Sequence, residues 1–119
     1  MKPINPSAIV TLARASSYNE EGKKAYKTEA LRWLRAFAKR LELNKKDYSI
    51  RFNPGGIAVS GEATLHHEKV YIQTSETGIM WRTCNGQKDY SGGPNRWLVG
   101  FGGHGDMEKF VAEINSVIK

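Results

Sequence analysis

Cysteine and long apolar runs are scarce in this chain, and each shortage argues against a class of protein. Cys84 is the single cysteine among 119 residues, so no intramolecular disulfide can form, and we expect a reducing compartment such as the cytoplasm. Arg14, the Lys23–Lys24 pair and the glycines interrupt every apolar stretch well short of the roughly 20 residues that a spanning helix needs. The sequence therefore predicts a cytoplasmic protein with no membrane partner.

Acidic residues are outnumbered, but only in the first part of the chain. The formal net charge is +6, from 18 lysines and arginines against 12 aspartates and glutamates. Residues 1–51 hold 12 of these cations and 5 of the acids, an excess of +7, whereas the remainder is close to balanced. A surplus confined to one segment favours an acidic partner such as nucleic acid, although net charge also serves plain solubility.

The periodicity of apolar residues predicts a single α+β domain over residues 1–119. Asn5–Pro6 opens a short helix to Ala15, and Asn19 caps a long amphipathic helix that runs to about Leu43. Alternating patterns then predict four strands in an antiparallel meander, and Asp106 caps a C-terminal helix. The expected order is α-α-β-β-β-β-α, with the strands beginning near Tyr48, Ile57, Lys69 and Ile79.

The long helix has two contrasting faces. One is an apolar stripe that we expect to face the core, made of Tyr26, Ala30, Trp33, Leu34, Phe37 and Leu41. The other is a cationic stripe of Lys24, Arg32, Arg35 and Lys39, with Thr28 in its middle. Cations spaced along one helical face can neutralise successive phosphates. The same pattern is also typical of an ordinary solvated helix face, and the sequence leaves both interpretations open.

A glycine-rich segment, residues 85–105, separates the predicted sheet from the last helix. It holds seven glycines and one proline and shows no sustained period. A connection this long in a compact domain is usually functional or mobile. A polar and aromatic cluster occupies this segment and the strand before it: Arg82, Lys88, Asp89, Tyr90, Asn95, Arg96 and Trp97. Such side chains stack on bases or anchor protein interfaces, but Tyr90 and Trp97 could equally pin the loop onto the sheet.

Three motifs that suggest chemistry have simpler interpretations. Gly100–Gly105 matches G-x-G-x-x-G, but the chain lacks the parallel βαβ unit of a dinucleotide site, and Asp106 would repel a phosphate. His66 and His67 are adjacent on an extended segment and point to opposite faces, which predicts a solvated turn rather than a metal site. Cys84 is expected to be a small buried group rather than a nucleophile paired with His104. We therefore expect no catalytic residues, no metal and no cofactor.

Three stretches carry a resemblance to a known family: Arg51–Glu62 (RFNPGGIAVSGE), Tyr71–Ser75 (YIQTS) and Arg82–Gly93 (RTCNGQKDYSGG). Across residues 48–97 the chain resembles a family of small proteins found in bacteriophage and plasmid genomes. That family has no established activity, so the resemblance implies no site residues. It implies a bacterial intracellular setting and an accessory role for a mobile element.

The sequence thus leads to two functional hypotheses from different classes. The first is a non-enzymatic protein that binds nucleic acid, with the helix stripe on phosphates and the cluster on bases. Its expected site residues are Lys24, Arg32, Arg35, Lys39, Arg82, Lys88, Tyr90, Asn95, Arg96 and Trp97. The alternative is a modulator that binds a host or defence protein through the 85–105 loop.

Overall fold

The computed structural model describes residues 5–16, 19–54, 61–86, 92–103 and 105–118. Within these ranges the chain forms three helices and five strands. The helices are α1 (Pro6–Ala15), α2 (Glu20–Arg40) and α3 (Met107–Ile118). The strands are β1 (Tyr48–Asn53), β2 (Glu62–His67), β3 (Val70–Ser75), β4 (Gly78–Thr83) and β5 (Arg96–Val99). The α+β class and the order of helices and strands are confirmed, but the predicted number of strands is wrong.

The additional strand, β5, lies inside the glycine-rich segment. The five strands form one antiparallel sheet in the order β1-β2-β3-β4-β5, so each strand pairs with its neighbours in sequence. On β5, Trp97 pairs with Met80 and Val99 pairs with Ile79, with a bulge between them. The bulge and the short length of β5 explain why no period-two pattern marks this strand in the sequence.

All three helices contribute to one hydrophobic core on one face of the sheet. The sheet supplies Ala63, Leu65, Val70, Ile72, Ile79, Trp81 and Leu98, and α2 supplies Tyr26, Trp33, Leu34 and Phe37. The registers place these strand residues on a single face, since Leu65 pairs with Ile72 and Ile72 with Trp81. The apolar stripe predicted for the long helix is therefore confirmed as its core-facing side.

The helix starts follow the predicted caps, whereas α2 ends earlier than expected. Asn19 Oδ1 accepts a hydrogen bond from Gly22 N, as an N-cap does. At the other end, Glu42 adopts a left-handed backbone with φ 58°, and Leu43 N donates to Ala38 O. This reversal closes the helix at Arg40 instead of Leu43.

Tyr26 ties α2 to the sheet through a fully buried hydroxyl. The hydroxyl donates to Thr74 O at 2.9 Å. Burial raises the pKa of Tyr26 from 10.0 to about 12. Tyr26 ionises near pH 10 in the unfolded chain but only near pH 12 in the folded protein. The contribution of the neutral Tyr26 hydroxyl to the free energy of unfolding is therefore complete below pH 10 and is lost as the pH approaches 12.

We therefore expect an alkaline loss of stability that depends on Tyr26. At two pKa units the loss amounts to at most about 2.7 kcal/mol. Tyr26→Phe should lower the free energy of unfolding by about 1 kcal/mol at neutral pH, because the hydrogen bond to Thr74 O is missing. The variant should also lack this part of the alkaline loss of stability. Urea unfolding from neutral pH to pH 12 measures both effects, with Tyr48→Phe on β1 as the control. An unchanged alkaline decline in Tyr26→Phe would contradict the assignment.

Candidate functional site

The predicted cationic stripe lies on the outward side of α2. Lys24, Arg35 and Lys39 are exposed, and no ion pair to them is found within the described part of the chain. Arg32 is half-buried, and its Nη1 lies 3.2 Å from Glu29 Oε1, so its charge is partly neutralised. From Lys24 to Lys39 the stripe extends about 22 Å at the α-helical rise. Three of the four predicted cations therefore form one exposed row.

The predicted loop cluster is divided between the two faces of the sheet. Arg82 and Asn95 approach each other, with 3.5 Å between Nη1 and Oδ1. Arg96 and Trp97 are neighbours on β5 and so point to opposite faces. The Arg96 guanidinium lies 4.9 Å from the Trp81 ring on the core side, whereas Trp97 pairs with Met80 on the other face. Lys88, Asp89 and Tyr90 lie outside the described residues.

The helix stripe and Trp97 do not share a surface. The core lies between α2 and the sheet, so the exposed side of α2 points away from the sheet. Trp97 belongs to the sheet face that is turned away from the helices, which we call the distal face. Its central cross-strand row consists of Arg51, Thr64, Gln73, Met80 and Trp97. The two halves of the predicted binding surface are thus on opposite sides of the domain.

The distal face carries a network of polar and aromatic side chains that the sequence did not single out. The Tyr71 hydroxyl donates to Gln73 Oε1 at 3.2 Å, and Gln73 Nε2 donates to Glu62 Oε2 at 2.9 Å. The Arg82 guanidinium lies 4.9 Å from the centroid of the Tyr71 ring. Tyr71 is only 4% exposed although it lies outside the main core. Connected hydrogen bonds of this kind hold side chains in fixed positions.

Thr64 and His66 extend this network on β2. Thr64 Oγ1 lies 2.8 Å from His66 Nε2, and the His66 ring meets the Tyr71 ring edge-on at 5.2 Å. Both residues are buried, at 5% exposure each. The sequence pattern predicts the alternation of Glu62 and Thr64 with Ala63 and Leu65, but it predicts a connection at His66, which the structure places in β2.

Two adjoining depressions on the distal face form a groove, which we call the sheet groove. One has a volume of about 250 Å³ and is lined by Arg51, Asn53, Glu62, Thr64, His66 and Tyr71, among others. The other, of about 270 Å³, extends past Gln73 and Ser75 to Thr77. Asn53 and Glu62 line both. The groove therefore offers two carboxylates (Glu62 and Glu76), two side-chain amides, hydroxyls, an imidazole and one guanidinium within a single polar surface.

The prediction of a solvated histidine turn is wrong. His66 and His67 are the last residues of β2, and both are buried. His67 Nδ1 accepts from Lys69 N at 3.0 Å, and burial lowers the pKa of His67. Cys84 Sγ donates to His67 O at 3.1 Å, so this half-buried cysteine contacts the backbone of β2. His104, its suggested partner, lies outside the described residues.

The edge strand β1 connects the basic side of α2 with the sheet groove. Lys27 Nζ lies 5.1 Å from the centroid of the Phe52 ring, which brings an exposed cation of α2 to this edge. Phe52 also lines the groove, next to the exposed Arg51. Cations therefore continue from α2 around the β1 edge to the distal face.

Phe101 is displayed at the turn that follows β5. Its side chain is 72% exposed, the largest exposure of a large apolar residue in the described chain. Its backbone is left-handed, with φ 44°, and its ring lies 4.6 Å from the Trp97 ring. A bulky residue in this conformation costs free energy, and such strain is concentrated at functional sites.

Among the described residues there is no group of three or more histidines, cysteines or carboxylates placed to hold a metal ion. None of the described helices combines the length and apolarity needed to cross a bilayer. A scan against protein-family models and searches of curated proteins and of solved structures gave no match to this chain.

Proposed function

We propose that the protein is a non-enzymatic accessory protein of a bacteriophage or plasmid and that it binds nucleic acid through the outward face of α2. The observation that carries the proposal is the row of exposed cations Lys24, Arg35 and Lys39, opposite the buried stripe of the same helix. Lysines and arginines held on one rigid helix can follow a phosphate backbone without reading sequence. Lys27 of α2, whose ammonium lies over the ring of Phe52 at the β1 edge, and Arg51 of β1 extend this surface.

An equilibrium binding titration tests the proposal. Fluorescence anisotropy of a labelled oligonucleotide should report binding at low salt that weakens steeply as salt is raised, because each phosphate contact releases condensed counterions. With three contacts to a single strand, the logarithm of affinity should fall against the logarithm of salt with a slope of about −2. Salt-independent binding, or none at low ionic strength, would contradict the proposal.

A second candidate function is the capture of a host or defence protein, and Phe101 favours it. An exposed aromatic ring supported by Trp97 has the character of an interface anchor. Phe101 lies within residues 85–105, the segment through which this hypothesis expects the host protein to bind.

The two candidates predict opposite results for matched variants. If Phe101 is an anchor, Phe101→Ala should abolish a nuclease-resistant pull-down from bacterial lysate and leave oligonucleotide affinity unchanged. Arg35→Glu should weaken oligonucleotide binding and leave the pull-down intact, because Arg35 lies on α2, away from Phe101. If nuclease removes every co-purifying protein, capture of a host protein is refuted.

A further inference from the structure

We infer that the sheet groove receives one unpaired guanine base of a single-stranded nucleic acid whose backbone follows α2 and the β1 edge. The inference rests on the proposed function and names the form of nucleic acid that it requires. It is drawn from the charge pattern of the groove, from the volume of the groove and from the continuity of cations around β1.

The groove separates a carboxylate from a guanidinium. On the distal face, Asn53 pairs with Glu62 and Arg51 pairs with Thr64, so Arg51 and Glu62 are diagonal neighbours. No ion pair between them is found in the described chain. A ligand with hydrogen-bond donors on one part and negative charge on another matches this arrangement. A nucleotide has this character, since its base is neutral and its phosphodiester is anionic.

Glu62 is held in position to accept donors from a base. Its Oε2 accepts from Gln73 Nε2, and Gln73 is fixed in turn by the Tyr71 hydroxyl. Oε1 has no hydrogen-bond partner within the described residues. Guanine presents a ring N–H and an amino group side by side on its pairing edge, whereas no other common base offers two adjacent donors. A fixed carboxylate therefore favours guanine, and only when that edge is unpaired.

One of the two depressions of the sheet groove has a volume that agrees with a single base. The depression that contains Arg51 and Glu62 measures about 250 Å³, below the roughly 300–1,000 Å³ of sites for drug-sized ligands. Buried Thr64, His66 and Tyr71 give it a rigid wall. A base at Glu62 would leave its phosphodiester near Arg51, and Lys27 continues the same path toward α2.

The test compares two probes that differ in one base. The probes are a short oligothymidylate and the same oligomer with one central guanosine, in deoxy and ribo forms. The full-length protein should bind the guanosine probe about tenfold more tightly, which is the discrimination expected of a good pair of hydrogen bonds. A duplex made from the guanosine probe should lose this advantage, because its pairing edge is occupied.

Glu62→Gln and Glu68→Gln provide matched variants, since each removes one negative charge. Electrostatics alone would strengthen binding of every probe slightly in both. The inference instead predicts that Glu62→Gln abolishes the preference for guanosine, whereas Glu68→Gln, on an exposed turn, retains it. Wild-type protein without a preference, or a preference that survives Glu62→Gln, would overturn the inference while leaving the proposed function intact.

Failure of the proposed function is distinguishable from failure of the groove. If neither oligomer binds at low salt, the proposed function is refuted, and guanosine monophosphate then tests the groove directly. Amide chemical-shift changes confined to β1, β2 and β3, lost in Glu62→Gln, would support a base site. Their absence at millimolar nucleotide would refute it.

Discussion

Reversing the charge of Lys24, Arg35 and Lys39 to glutamate should abolish oligonucleotide binding and remove its salt dependence. The three side chains project from the outward side of α2, opposite Tyr26, Trp33 and Phe37, so their replacement leaves the core untouched. Each reversal removes one phosphate contact and adds a repulsive charge. The measurement is anisotropy over a range of salt concentrations, with urea unfolding to confirm that the variant remains folded.

Arg32 and Lys109 provide the controls for this experiment. Arg32 is already paired with Glu29, so Arg32→Gln should change the salt slope less than Arg35→Gln. Lys109 is an exposed lysine on α3, and Lys109→Glu alters net charge as much as Lys39→Glu does. If Lys109→Glu weakens binding as strongly as Lys39→Glu, the attraction comes from overall charge and the surface on α2 does not exist.

The parts of the fold that follow a strong periodic pattern were predictable from the sequence. The apolar stripe of the long helix repeats over about four turns, from Tyr26 to Leu41, and Asn19 caps the start of α2, so this helix and its buried face are confirmed. The end of the helix was not predictable, because the left-handed backbone at Glu42 occurs at a residue that ordinarily favours helix.

The strand β5 and the distal face lay beyond what periodicity can show. Arg96–Val99 is four residues long, and its bulge places Leu98 and Val99 out of strict alternation. The pairing with β4 is a long-range interaction that no local pattern encodes. Likewise, polar residues on alternate positions of β2 and β3 ordinarily indicate a solvated face. Only the register shows that Glu62, Gln73 and Tyr71 meet in one network.

The expected loop site shows a further limit of sequence reasoning. Arg82, Arg96 and Trp97 are close in sequence and have matching chemistry, but side chains on a strand alternate between faces. Arg96 therefore contacts Trp81 on the core side while Trp97 contacts Phe101 on the distal face. The predicted cluster is therefore split: Arg96 lies at the edge of the core, whereas Arg82 and Trp97 lie on the distal face.

Gly78→Ala should be the most damaging single-methyl substitution in the sheet. Gly78 opens β4 with φ 146°, and an added Cβ would lie 2.1 Å from Val99 O and 3.0 Å from the Trp97 ring. The collision involves backbone of β5, so β5 must move away from β4. We expect a loss of about 3 kcal/mol in the free energy of unfolding. Urea unfolding measures the loss.

Gly86→Ala separates the collision from the cost of the backbone conformation. Gly86 has nearly the same angle, φ 150°, but an added Cβ meets no atom of the described chain within 4 Å. Gly86→Ala should therefore lower the free energy of unfolding by only about 1 kcal/mol, the cost of placing alanine in this backbone conformation. The difference between the two variants then measures how firmly β5 is held against β4. Equal losses would mean that β5 yields freely, and Phe101 would then lack the rigid support that its role as an anchor requires.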